Sequence, residues 1–356
     1  MIDPYSSFLP DIAVQQLRRT GAPYARDVSD AIPGQIGEAA MIFADASGFT
    51  ALTEKLAARP DGAERMCEIM NRFLGAIIDI VHSHCGDVVK FAGDAVSVTF
   101  PVATKVEGQY GAMRYQADGG SRPAASDMRS AVARATRCAC VLHEKLHMFK
   151  GWEDENGAIT LSLHIGVGCG TVTMLHLGGD GHRWEYVLGG PPVSQSADAE
   201  PLAKSGETCM SPQSFALVKD IVVATELPES AGHPGFMLVS EVTDTMACML
   251  PSFDGPQKPL GLSRQELGVL VPALVQYVPH AVRGKLQQGI CSNIDLSEMR
   301  SVSVMFINCM GLKVEADAAG DCSQCMQAGQ TVMTSVQEVI HGQEGQVNKM
   351  LVDDKG

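Results

Sequence analysis

The chain has 356 residues, 45% hydrophobic and 19% charged, with a formal net charge of −14, which suits about two domains, each with its own core. So acidic a chain offers no basic stripe to neutralise nucleic-acid phosphates, and it disfavours docking on an anionic membrane. No apolar run approaches the roughly 20 residues of a membrane helix, the N-terminus MIDPYSSFLPDIAVQQLRRT lacks a signal-peptide layout, and eleven irregularly spaced cysteines fit reduced thiols in a cytoplasmic protein.

Residues 1–35 read as a short amphipathic segment, Phe8 to Arg19, followed by a loop with Pro23 and Pro33. A first strand covers 36–45. Helical periodicity then runs from Gly62 to about His84, through Ile69, Phe73, Ile77 and Val81. Cys85-Gly86 ends it, and Val88–Phe100 reads as a hairpin turning at Gly93-Asp94. Gly108–Ala125 reads as a Gly- and Ala-rich surface loop. A helix over Ser126–Phe149 follows, then strands at Thr160–Gly168, Thr171–Leu177 and Trp184–Leu188. Gly189-Gly190-Pro191-Pro192 opens a helix over Val193–Ala203, with proline tolerated in its first turn. This order predicts an α+β, ferredoxin-like split βαβ fold, antiparallel strands with helices on one face. The expected division is an N-terminal segment (1–35), a first domain (36–219), a linker (220–290) and a partial second domain (291–356), with helix around Pro279.

The stretch MIFADASGF places Asp45 as the only charge in an apolar strand, and CGDVVKFAGD brings Asp94 to a neighbouring strand end. A carboxylate there is costly unless paired or metal-bound; a strand-end Asp capping the next helix is the plainer reading. Two converging carboxylates suit hard divalent cations. Directly after Asp45, the small residues Ala46, Ser47 and Gly48 lead through Phe49 and Thr50 into a helix, whose free amides would cradle a polyphosphate.

An internal repeat begins near Ser301. MIFADASGF aligns with VMFINCMGL, pairing Asp45 with Asn308 at an offset of 263, and GDVVKFAGD with GQVNKMLVD, pairing Lys90 with Lys349 at an offset of 259. The second copy therefore starts with an apolar strand over Ser301–Asn308, lacks the first carboxylate, and reads Val352-Asp353-Asp354 in place of the Gly-Asp turn. Two copies around a pseudo-twofold axis make two clefts; one keeps both carboxylates and the other is degenerate. Lys349 would face the carboxylate cleft from across the interface. Lys90 and Lys349 could equally be surface lysines. His164 reads as a hydrogen-bonded structural histidine, with approach to a phosphate as the alternative, and His143-Glu-Lys-Leu-His147 matches a zinc-protease pattern without a third ligand.

FADASGFTALTEK, VVKFAGDAVSVTF and LHIGVGCGTVTMLHLG resemble the first catalytic domain of a class III nucleotidyl cyclase, and more narrowly the soluble, bicarbonate-responsive adenylyl cyclases. LVQYVPHAVRGKLQQG and GQVNKMLVDDKG are similar to that family's linker and second-domain opening. The resemblance implies an adenylate cyclase. Asp45, Ala46 and Asp94 would hold two Mg²⁺ ions (Mn²⁺ as a substitute), and Ser47, Gly48, Phe49 and Thr50 the phosphates. The ribose 3′-hydroxyl of ATP would attack its own α-phosphate in line, releasing pyrophosphate. Lys349 matches the lysine that donates to an adenine ring nitrogen, favouring ATP over GTP. The degenerate cleft matches a bicarbonate site in which Lys90 is the lysine and Val187 a wall residue, with Ser196 where an arginine is expected. The family's catalytic Asn and Arg lie on a second-domain helix beyond Gly356, and the 189–203 helix has neither, so little turnover is expected of this chain alone. The alternative implied is a degenerate regulatory or nucleotide-binding module of the same fold, partnered by a second cyclase domain in cis or trans.

Overall fold

The computed structural model describes residue 5 and residues 8–20, 34–102, 127–154, 157–228, 232–243, 264–289 and 302–352. In chain order the helices and strands are α1 (Asp11–Thr20), β1 (Gln35–Ser47), α2 (Phe49–Ala57), α3 (Gly62–Ser83), β2 (Asp87–Ala92) and β3 (Ala95–Pro101). After them come α4 (Met128–Leu146), β4 (Phe149–Asp154), β5 (Gly157–Gly178), β6 (Trp184–Gly189), α5 (Pro191–Ala199), β7 (Thr208–Met210) and α6 (Pro212–Val218). β8 (Val222–Glu226), β9 (Met237–Val242), α7 (Arg264–Leu274), α8 (His280–Gln287) and α9 (Ser323–His341) complete the set.

β1 is an interior strand of the sheet, antiparallel to β3 on one side and to β5 on the other. Its side chains alternate between two cores, as the period of a strand requires. Ala40, Ile42, Ala44 and Ala46 pack with Leu52 of α2, Phe73 and Ile77 of α3, and Leu142 of α4. Ala39 and Met41 face the other way, onto Ile12 and Leu17 of α1 and Leu270 and Leu274 of α7. The expectation of helices on one face is thereby corrected: the N-terminal segment and the presumed linker cover the second face. Asp87 anchors that arrangement, its carboxylate accepting from the amides of Asp11 (3.1 Å) and Ile12 (2.9 Å), which have no partner within the first turn of α1.

Other details differ from the sequence reading. The two strands expected at Thr160–Gly168 and Thr171–Leu177 are one strand, β5, which passes through Gly170 at φ +143°. β4, which was not anticipated, pairs with its start, and β7 runs parallel to it rather than antiparallel. β8 and β9 join the same sheet, so it continues past residue 219 to Val242.

In the segment expected to open a second copy, residues 302–308 form no strand, and Val304 and Phe306 are 70% and 92% exposed. The difference is in the ladder: β1 is held by strands on both sides, whereas no described strand pairs with residues 302–308. α9 attaches the copy instead. Met333 and Val314 bury against Leu175, Leu177 and Val187, and Gln330 closes both a donor and an acceptor on the backbone of Gly178. Gly108–Ala125, Ser301, Asp353 and Asp354 lie outside the described residues. No described helix is long and apolar enough to cross a membrane.

Candidate functional site

Pairing of Ala44 with Val96 puts Asp45 beside the two-residue turn Gly93-Asp94, where Gly93 adopts φ +69°. Glycine is suited to that left-handed position at the head of a tight hairpin. The carboxylates of Asp45 and Asp94 lie within hydrogen-bonding reach of each other. Burial, followed by the charge of Asp45, pushes the Asp94 carboxyl above its ordinary range. Asp45 moves the opposite way, held down chiefly by its hydrogen bond to His164. Two carboxylates forced together at a half-open strand end form a donor set for a divalent cation.

His164 is the direct cross-strand partner of Asp45, with Nε2 at 3.3 Å from Asp45 Oδ2. Its Nδ1 side is ion-paired with Glu200, whose side chain is 11% exposed in the short 3₁₀ turn after α5. These two carboxylates raise the imidazole pKa to about 10. Their ligand atoms and that of His164 fall within 4.8 Å of one another, a grouping able to hold a metal ion. His164 was read from sequence as structural, and Glu200 was missed. The available signs were a carboxylate set between Ala199 and Pro201, and a histidine in the middle of the strand that pairs with β1.

Gly48 turns the chain between β1 and α2 at φ +94°, and a Cβ there would meet the Thr160 carbonyl oxygen at 2.3 Å. No side chain caps α2 and its first turn holds no acidic residue, so the amides near Gly48, Phe49 and Thr50 keep the positive helix end clear. Ser47 is half-buried and Ala46 buried at the close of β1, next to Asp45.

Lys349 lies at the rim of the same hairpin, donating to the carbonyl of Phe91, three residues before Asp94. Lys90 is not free to receive an anion in this structure. Its ammonium donates to Glu185 (2.7 Å), to the Tyr186 carbonyl (3.1 Å) and to the Met350 carbonyl (2.7 Å). Arg183 also binds the Glu185 carboxylate, together with the Tyr277 carbonyl. Val187 is buried under α9, and Ser196 spends its hydroxyl on the Val193 carbonyl. The residues of the zinc-protease pattern do not converge either: His143 bonds Thr208 at 2.9 Å, and the metal-capable cluster among the described residues is the one at Asp45.

Residues 33–231 match the family described as the adenylate and guanylate cyclase catalytic domain. The chain is similar to adenylate cyclase type 10 of Rattus norvegicus, 26% identical over 352 residues covering 89% of this chain and 19% of that protein. It is likewise similar to adenylate cyclase type 10 of Homo sapiens, 25% identical over 331 residues, with the same 89% and 19% coverage. The chain thus spans about a fifth of the length of these curated relatives. Among solved structures, the adenylyl cyclase CyaB of P. aeruginosa is 20% identical, with a TM-score of 0.45 over 58% of this chain and 96% of that one. The guanylate cyclase domain of RhGC from Catenaria anguillulae in complex with GTP is 18% identical, with a TM-score of 0.44 over 59% and 100%.

Proposed function

Because the chain belongs to the adenylate and guanylate cyclase catalytic domain family, we propose that it converts ATP to 3′,5′-cyclic AMP and pyrophosphate in the groove bordered by β1, the β2–β3 turn and the second copy. The observation that carries this reading is the convergence of Asp45 and Asp94 beside the uncapped start of α2. Asp45, Asp94 and the Ala46 carbonyl would hold two Mg²⁺ ions, or Mn²⁺, which lower the pKa of the ribose hydroxyl and neutralise charge on the leaving pyrophosphate. The donor set fits: the two side chains are acidic, mutually repelling and oxygen-only.

The backbone from Ser47 to Thr50 orients the β- and γ-phosphates, with Gly48 allowing close approach of the main chain. Lys349 reads the base. An ammonium donates to the unprotonated N1 of adenine, whereas guanine presents an N–H there, so ATP is the substrate this residue favours. To do so, Lys349 exchanges its bond to the Phe91 carbonyl for the ring nitrogen. Bicarbonate is a weaker expectation, because Glu185 already neutralises Lys90.

A second reading, a cyclase-fold module that binds nucleotide with little turnover, is favoured by α5, whose sequence PPVSQSADA holds neither asparagine nor arginine. Cyclic AMP production from Mg²⁺–ATP separates the two, measured on this chain and on a longer one carrying a complete second domain. The enzyme reading expects product that is lost in Asp45→Ala and in Asp94→Ala. Activity surviving both substitutions refutes the site, and nucleotide binding without product in either chain supports the module.

A further inference from the structure

We propose that His164 is a nitrogen ligand, making the Asp45 site a mixed nitrogen–oxygen centre for a borderline transition-metal ion such as Zn²⁺ or Co²⁺. The inference rests on reading Asp45 as a metal-binding carboxylate, and it assigns His164, a member of the cluster described above, the specific part of nitrogen ligand to a transition-metal ion.

Geometry carries it. Asp45 Oδ2 and His164 Nε2 are 3.3 Å apart. Two ligands bound to one tetrahedral ion at about 2.0–2.1 Å are separated by roughly 3.3–3.4 Å, so the observed gap is already a ligand–ligand edge. The spacing is built in, because Asp45 and His164 are register partners on adjacent strands rather than long side chains meeting by chance. Glu200 sits on the opposite ring nitrogen, the arrangement by which a carboxylate fixes the tautomer and orientation of a metal-bound histidine. An ion bound between Asp45 and His164 keeps further positions for water or substrate. When the ion binds, Nε2 gives up its hydrogen to solvent, leaving the remaining N–H on the Nδ1 side that faces the Glu200 carboxylate. Imidazole suits Zn²⁺ and Co²⁺ and adds nothing for Mg²⁺, which prefers oxygen.

The test needs no nucleotide. Zn²⁺, Co²⁺ and Mg²⁺ are titrated separately into the chain, read by thermal unfolding and, for Co²⁺, by its visible absorption. His164→Gln should weaken Zn²⁺ and Co²⁺ by at least about tenfold and alter the Co²⁺ spectrum, leaving Mg²⁺ within about twofold; Glu200→Gln should weaken Zn²⁺ by about tenfold. His164→Lys, which keeps a positive charge between Asp45 and Glu200 but cannot ligate at neutral pH, should lose Zn²⁺ while holding the fold, and it serves if the Gln variant is unstable. Equal Zn²⁺ affinity in wild type and these variants overturns the proposal, as does a parallel loss of Mg²⁺. Cyclic AMP formation is a separate readout. A histidine-dependent Zn²⁺ site without cyclisation keeps this inference and sinks the enzyme reading, and Mg²⁺-driven cyclisation with histidine-independent Zn²⁺ binding does the reverse.

Discussion

Lys90 and Lys349 each donate a hydrogen bond to the backbone carbonyl one residue beyond the other: Lys90 to Met350 at 2.7 Å, and Lys349 to Phe91. These are the two lysines that the sequence alignment of MIFADASGF and GDVVKFAGD with the later segments pairs, and a reciprocal exchange is what a twofold relation between two copies would produce. The symmetry ends at their other partners. Lys90 also holds the buried Glu185 carboxylate, while Lys349 stands exposed at the rim. Packing around the Lys349 ammonium, and then repulsion from Lys90, lowers its pKa.

That asymmetry separates structural from functional cost. Lys90→Met removes one of two cations from a carboxylate whose side chain is 7% exposed. With Arg183 still in place, the loss is expected to be about 1–3 kcal/mol in urea unfolding. Lys349→Met breaks only an exposed contact and should change stability by less than about 1 kcal/mol. Its effect belongs in substrate choice, with the ATP-over-GTP preference falling. Equal losses of stability in the two variants would contradict this division.

At Gly166, β5 packs closely against the C-terminal end of α5 and the turn after it. A Cβ there would lie 2.0 Å from the Ser196 carbonyl oxygen and 2.6 Å from the Glu200 amide, both backbone atoms with little room to yield. Gly166→Ala is therefore expected to destabilise by about 1–3 kcal/mol or more. It should also pull Glu200 away from His164, visible as a change in the His164 ring resonances. Gly75, inside α3 with nothing within 4 Å of its Cβ position, is the control. Gly75→Ala should stabilise by about 0.5–1 kcal/mol through helix propensity alone.

The sequence carried the parts of this molecule that depend on local pattern. The 3–4 spacing of Ile69, Phe73 and Ile77 marks α3, and the single charge in MIFADASGF marks Asp45. Pairing of distant segments was less legible. Nothing near residue 164 reveals that it stands opposite residue 45, or that Glu200 reaches it from the far side of α5. The capture of Lys90 by Glu185 depends on β2 and β6 meeting across the molecule. The apolar stretch 302–308 has the composition of β1 but not its neighbours, and composition alone does not make a strand.

One buried and one half-buried histidine weaken the fold in acid. His176 is fully enclosed, bonded to the Tyr277 hydroxyl at 2.6 Å, and burial pushes its pKa down to about 3. His143 is pushed down to about 4, again chiefly by burial. Each stays neutral in the folded chain while the unfolded chain protonates near pH 6.5, so the unfolded state binds more protons below that pH. Stability from these groups is complete above about pH 6.5 and declines as the pH falls toward 4, by up to about 1.4 kcal/mol per pH unit for each. His164, protonated in the folded chain throughout this range, opposes the slope between pH 7 and about pH 5.5 while its unfolded counterpart is still taking up its proton, and adds nothing below that. Urea midpoints measured from pH 7 to pH 4.5 should fall, and His176→Gln should flatten the fall by one histidine's share.

Asp94 offers the opposite case, a group that weakens the fold where it sits. Its carboxyl is held above its ordinary pKa by burial and by Asp45, so at neutral pH the ionised form is worse off folded than unfolded. A carboxylate with a raised folded-state pKa costs stability above that pKa, and the cost disappears as the pH falls and the group protonates. Asp94→Asn removes the repulsion while keeping the shape. In chelator-treated protein at pH 7 it should therefore raise stability, by about 0.5–1 kcal/mol, because Asp94 is only half-buried and solvent screens the pair. The same substitution removes an oxygen ligand, so Mg²⁺ should no longer raise the melting temperature, and cyclic AMP formation should cease. A chelated Asp94→Asn protein less stable than wild type would mean that the carboxylate is retained for packing rather than for a cation.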